Sequence, residues 1–137
     1  MTLDARAQET LGKWHRMVEA GDLSQVASLC APEAVFRSPV AHTPYRGAEL
    51  VAAFLQQAVQ TSSDFRYHRT FTDGESSVVL EFGAKVGDKE IKGIDMIRFD
   101  EAGRIVDFEV MVRPASGLQA LGAEMARRMA PILAAKP

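Results

Sequence analysis

Apolar residues recur at helical spacing early in the chain and switch to alternation after its midpoint. Ala7, Leu11, Trp14 and Val18 build one face of a helix predicted over Asp4–Ala20. Gly21 stops it. Asp22-Leu23-Ser24-Gln25 then reads as a capping box that opens a short second helix, burying Leu23, Val26, Ala27 and Cys30 and ending at Ala31-Pro32. A short strand over Ala34–Ser38 leads into the loop Pro39–Gly47, where two prolines and a glycine favour one stiff, irregular path. A third helix, about Ala48–Gln60, turns Leu50, Val51, Phe54, Leu55 and Ala58 inward.

From Phe65 onward the period is two. Strands are predicted at Phe65–Thr72, Ser77–Val86, Lys89–Phe99 and Arg104–Arg113, with Asp73-Gly74, Gly87-Asp88 and Ala102-Gly103 as hairpin turns. Four strands in succession make an antiparallel meander. Pro114 ends the last one, and a final helix sets Leu118, Leu121, Met125, Met129 and Ile132 on one side, with a kink expected near Pro131. Helices first and sheet second is an α+β layout. Val78, Leu80 and Phe82 share one strand face, as do Val106, Phe108, Val110 and Val112. Val79, Ile94 and Met96 occupy opposite faces, so the sheet needs a cover on both sides. A homodimer is the simplest second cover, and the last helix is the alternative.

Composition narrows the function classes. The 137 residues fit one domain, 1–137, with 47% hydrophobic and 25% charged residues, as in an ordinary globular protein. A formal charge of −2 gives no electrostatic reason for a nucleic-acid partner. No apolar run approaches the roughly 18 residues of a membrane span, and the first residues read as a polar helix rather than a signal peptide. A cytoplasmic location is expected by elimination. The lone Cys30 excludes an internal disulfide framework and is expected to be a buried, inert thiol. His15, His42 and His68 are scattered, with no carboxylate at ligand spacing, so no metal site is expected. No Gly-rich phosphate cradle, nucleophile elbow or Cys–His pair is present, and no cofactor is expected. His15 and His68 are expected at the surface.

One stretch does carry chemistry. In Ile91–Phe99, pleating puts Ile91, Gly93, Asp95, Ile97 and Phe99 on one face. Asp95 is therefore a carboxyl group among small or apolar neighbours. Burying it ionised and alone is costly, so it either pairs with an Arg or His or sits beside a pocket with a raised pKa.

The order of Ala20-Gly21-Asp22-Leu23, Ala31-Pro32-Glu33-Ala34, Ser38-Pro39-Val40, Arg46-Gly47, Gly93–Phe99 and Asp100–Ile105 resembles the nuclear transport factor 2-like superfamily. The resemblance is closest to its SnoaL-like and ketosteroid-isomerase-like branch. It implies a cone-shaped α+β barrel, the cystatin-like roll. In that fold three N-terminal helices pack on a curled antiparallel sheet, here joined by a C-terminal helix, and the proteins are commonly dimeric. It also implies an apolar pocket for a small hydrophobic molecule, with isomerases, cyclases, hydrolases and non-catalytic binders all among the members.

Ketosteroid isomerases use an Asp base, an oxyanion Tyr and a protonated oxyanion Asp. The last matches Asp95, the base position falls on Ser38, and the tyrosine position falls on Trp14. Steroid isomerisation by that mechanism is therefore not expected. The chemistry expected instead is cofactor-free acid–base work by Asp95, with Ser38 and His42 as secondary polar groups. Trp14, Val18, Phe36, Val40, Phe54, Leu80, Phe82, Ile97, Phe108 and Val110 are the expected ligand-binding wall. Within that wall the Trp14 N–H is the expected polar contact to the ligand. A pocket filled by side chains, serving only binding or dimerisation, is the competing expectation.

Overall fold

The computed structural model describes residues 2–135. The elements are α1 (Ala5–Ala20), a 3-10 turn (Val26–Leu29), β1 (Cys30–Arg37), β2 (Tyr45–Arg46), α2 (Ala48–Thr61), β3 (Ser63–Thr72), β4 (Ser77–Val86), β5 (Lys89–Phe99), β6 (Ile105–Arg113) and α3 (Ala115–Ala134). Asp4 caps α1 by accepting a hydrogen bond from the Arg6 N–H, and Gly21 ends it in the left-handed conformation at φ 67°. None of the described helices is long and apolar enough to cross a membrane.

The six strands form one sheet in the order β2-β1-β6-β5-β4-β3. The meander from β3 to β6 is antiparallel as its alternation predicts, but β1 joins β6 in parallel, so the sheet is mixed. The expected second helix shrinks to the single 3-10 turn. There Asp22 Oδ1 accepts from the Ser24 N–H at 3.0 Å, and the extended chain begins already at Cys30. Pro32 lies inside β1 because the pairing with β6 is interrupted between Cys30 and Val35, so no ladder bond is asked of a proline there. The last helix runs on through Pro131 to Ala134.

Helices α1, α2 and α3 cover one face of the sheet. Val51 of α2, Leu80, Ile97 and Phe108 of the sheet and Met129 of α3 are almost wholly buried. Side chains of this kind contribute roughly 1.5–3 kcal/mol each when fully buried. Cys30 is buried in the same core, and burial, reinforced by Glu49, pushes its thiol up to about 11. On β5, Ile91, Gly93, Asp95, Ile97 and Phe99 all face inward.

Gly93 makes this packing possible. A Cβ there would stand 2.4 Å from the Met111 carbonyl oxygen and 2.6 Å from Phe82 Cζ, so the Phe82 ring rests on bare backbone.

Candidate functional site

Between the helices and the sheet lies a cavity of about 350 Å³. Its walls combine Trp14, Phe36, Phe54, Phe82, Phe108 and Val110 with Tyr45, Phe65, Ile91 and the α3 residues Leu121, Met125 and Met129. Thus α3 closes the cavity rather than covering the outer sheet face. Val40 and Leu133, 57% and 37% exposed, also line the cavity and mark its apolar rim. A Cβ on Gly122 would lie 3.0 Å from Val40 Cγ1, so the loop after β1 sits directly on α3 there.

Asp95 lines this cavity and is itself only 5% exposed. Burial raises its pKa to about 7, although a hydrogen bond from Tyr67 pulls the other way. Tyr67 Oη donates to Asp95 Oδ2 at 2.6 Å, and the Trp14 indole N–H donates to Tyr67 Oη at 3.0 Å. An indole N–H can only donate, so the phenol oxygen accepts from Trp14 and its proton is left for Asp95. Burial and the neighbouring Asp95 together raise the Tyr67 pKa well above 10, which keeps the phenol protonated.

Tyr67 enters from β3, opposite Phe82 in the β3–β4 pairing. The pairing shifts between Tyr67 and Thr70, so that Thr70 and Thr72 sit opposite Leu80 and Val78 while Phe71 turns outward. This bulge lets one strand point Tyr67 at the cavity floor and Phe71, 50% exposed, at the outside.

The remaining sequence expectations divide. Ser38 lines the cavity, yet its Oγ accepts the Val40 N–H at 3.0 Å in a local turn. His42 is exposed on the loop between Pro39 and Pro44 and does not line the cavity. Leu80 and Ile97 are not wall residues, because they pack entirely into the core beside Asp95. Val18 packs on the core one turn beyond Trp14, also away from the cavity. The Trp14 ring forms wall, but its N–H serves Tyr67 and not a ligand. His15 is half-buried and stands edge-on to Tyr67 at 5.2 Å, with burial lowering its pKa below 6.5 against the pull of Glu19. His68 is exposed as expected. Tyr67 itself was the residue missed. Its only sequence signal is that it shares a strand face with Phe65.

Comparison with known proteins agrees with this architecture. Residues 11–108 match the SnoaL-like domain. A crystal structure of a steroid delta-isomerase from Pseudomonas aeruginosa is 57% identical over 97% of this chain and 98% of that one, with a TM-score of 0.92. An uncharacterised conserved bacterial protein with a cystatin-like fold, from Silicibacter pomeroyi, is 35% identical over 91% of this chain and 90% of its own, with a TM-score of 0.84. An NTF2-like protein of unknown function from Mesorhizobium loti shares the fold at 17% identity, covering 83% of this chain and all of its own, with a TM-score of 0.70. No curated protein matches. The chain belongs to the SnoaL-like branch of the nuclear transport factor 2-like superfamily.

Proposed function

We propose that the cavity takes a compact hydrophobic molecule, polyketide-, steroid- or terpenoid-like, whose polar end lies against Asp95. The carboxyl gives a hydrogen bond to that end and serves as the acid in cofactor-free isomerase-, cyclase- or hydrolase-type chemistry. The observation that carries this reading is a buried carboxyl group, its pKa raised by that burial to about 7, in a cavity whose wall is mostly aromatic and aliphatic with Ser38 and Ser62 besides. A volume of about 350 Å³ falls within the roughly 300–1,000 Å³ of small-molecule sites, which favours a ligand over a side-chain filling. The 57% identity to a protein described as a steroid delta-isomerase supports a rigid, ring-shaped ligand.

A second reading, binding without turnover, rests on the base position. Ser38 stands there with its hydroxyl engaged in a turn, and Asp95 is the one carboxyl among the described residues that line the cavity. A serine without a neighbouring base is a poor proton shuttle.

A 5-ene-3-ketosteroid separates the two readings, with binding followed by calorimetry and conversion by growth of conjugated-enone absorbance. Asp95→Asn keeps a hydrogen-bond donor but loses the transferable proton. In the acid–base reading Asp95 polarises the carbonyl, while water takes the C4 proton and returns one at C6 in place of the missing base. That chemistry predicts that both proteins bind within about tenfold of each other and that only wild type converts, slowly. Binding by both without conversion supports the second reading. Failure of both to bind this or any other hydrophobic ligand screened sinks the cavity as a ligand site.

A second copy of the chain is proposed to cover the outer sheet face. Phe71 and Met111 are exposed there beside Val79, Ile94 and Met96, and Lys92, Arg98 and Glu109 supply both signs of charge, as a self-complementary interface requires. Met111→Glu should lower the sedimentation mass from dimer to monomer. A wild-type monomer contradicts this part of the reading.

A further inference from the structure

The chain Trp14→Tyr67→Asp95 runs one way. Trp14 has a donor and no acceptor, the Tyr67 proton has no other acceptor among the described residues, and Asp95 Oδ2 is the end point. Oδ1 makes no hydrogen bond among the described residues, yet no buried side-chain oxygen or nitrogen there lacks a partner, so Oδ1 is open to the cavity that Asp95 lines. Tyr67 is not part of the cavity wall. Its hydroxyl therefore acts on a ligand only through Asp95.

We propose that Tyr67 is a positioning residue that fixes the hydrogen-bond polarity of the site: by occupying Asp95 Oδ2 it holds the carboxyl proton on Oδ1, so that the cavity selects ligands ending in a carbonyl over those ending in a hydroxyl. The inference rests on the reading of the cavity as a ligand site and names the polar end that it takes.

The selection follows from counting donors and acceptors. A ketone oxygen accepts the Oδ1 proton and leaves nothing unpaired. A hydroxyl oxygen can accept the same bond, but its own proton then finds no acceptor on Asp95, because Oδ2 is taken by Tyr67. Among the described lining side chains only Ser38, Ser62 and Tyr45 offer another oxygen. An unpaired buried donor weakens binding by about tenfold. A carboxyl free of Tyr67 can carry its proton on either oxygen, so it can donate to an alcohol and accept from it at once. Tyr67 is the titratable group in contact with Asp95, Trp14 carries no charge, and His15 touches the Tyr67 ring without a hydrogen bond to it. At pH 5.5 Asp95 is in its neutral form.

The test is calorimetry at pH 5.5 with 1-indanone, 1-indanol and indane, which share a ring system and differ in the polar end. Wild type is expected to bind the ketone about tenfold tighter than the alcohol. Tyr67→Phe should narrow that ratio to about twofold, chiefly by tightening the alcohol, while indane affinity stays unchanged. Trp14→Phe frees the Tyr67 hydroxyl to rotate and should give an intermediate ratio, which keeps the proposal testable if Tyr67→Phe folds poorly. An unchanged ratio in either variant, with indane still bound, overturns the positioning role while sparing the ligand site. If wild type binds none of the three, the ligand-site reading fails and the inference goes with it.

Discussion

Two carboxyl groups one rung apart on adjacent strands meet opposite fates. Leu80 pairs with Asp95 and Glu81 with Ile94, so Asp95 and Glu81 lie on opposite faces of the sheet. Their exposures are nearly equal, 5% and 6%. Glu81 receives Arg69 Nε at 2.8 Å and Nη2 at 2.7 Å, and Lys92 Nζ lies 3.1 Å away. Those hydrogen bonds and charges bring its pKa down to about 2, whereas burial beside a neutral phenol takes Asp95 up to about 7. Burial alone therefore does not set the charge of an acid. The partners do, and among the described residues the cavity side of this sheet provides no cation in contact with Asp95.

The largest test of this contrast removes the acid from the cavity. The folded pKa of Asp95 lies above its ordinary 3.8, so the native state holds the proton more tightly and wild-type stability falls as pH rises from about 4 to 7. A shift of that size corresponds to at most about 4 kcal/mol. Asp95→Asn does not titrate, and relative to wild type it should gain stability by up to that amount between pH 4 and pH 8. Urea midpoints at the two pH values measure it, and a pH-independent difference contradicts the raised pKa.

Gly93→Ala comes next. Its Cβ must displace the Met111 backbone or the Phe82 ring beneath Tyr67, and a loss of about 2–3 kcal/mol in urea unfolding is expected. A loss under about 1 kcal/mol means that the cavity floor is softer than its geometry implies. Tyr67→Phe removes a bond that favours the charged acid, so about 1 kcal/mol should be lost at pH 8 and less at pH 5. Equal losses at both pH values count against the Tyr67–Asp95 bond.

The smallest effect belongs to the outer face. The lowered pKa of Glu81 makes its contribution present above about 4.5 and lost as pH falls towards 2. Glu81→Gln should lower stability slightly at neutral pH and not at pH 2, flattening the acid slope, and the loss stays small because Arg69 and Lys92 are largely solvated. An undiminished acid slope in the variant places the titration elsewhere.

The inner strands were legible because β4 and β5 alternate without interruption. Their observed bounds, Ser77–Val86 and Lys89–Phe99, coincide with the predicted ones. The inward face of β5, Asp95 included, follows from the same alternation. Pairing between distant segments was not legible. Nothing local in Cys30–Arg37 tells it to run parallel to β6, and its proline argued against a strand until the interrupted register made room for it.

The candidate site shows the same limit. Trp14, Phe36, Phe54, Phe82, Phe108 and Val110 could be placed on inward faces by period, and all line the cavity, as does Val40 from the loop after β1. Leu80 and Ile97 obey the same period but lie deeper, where the cone is filled. Period cannot separate wall from floor. Nor could it find Tyr67, whose reach to Asp95 spans an intervening strand and depends on the bulge beside it. His42 suited proton transfer by residue type, and only its exposed loop position removes it from the cavity.

The most direct test is a carbon-13 titration of the side-chain carboxyls of Asp95 and Glu81 in one sample. The account predicts an Asp95 midpoint near 7 and a Glu81 midpoint near 2, with Asp95→Asn and Glu81→Gln assigning the two signals. An Asp95 midpoint near 4 would mean an ionised, solvated or cation-paired carboxylate at neutral pH, and would contradict a neutral acid facing the cavity.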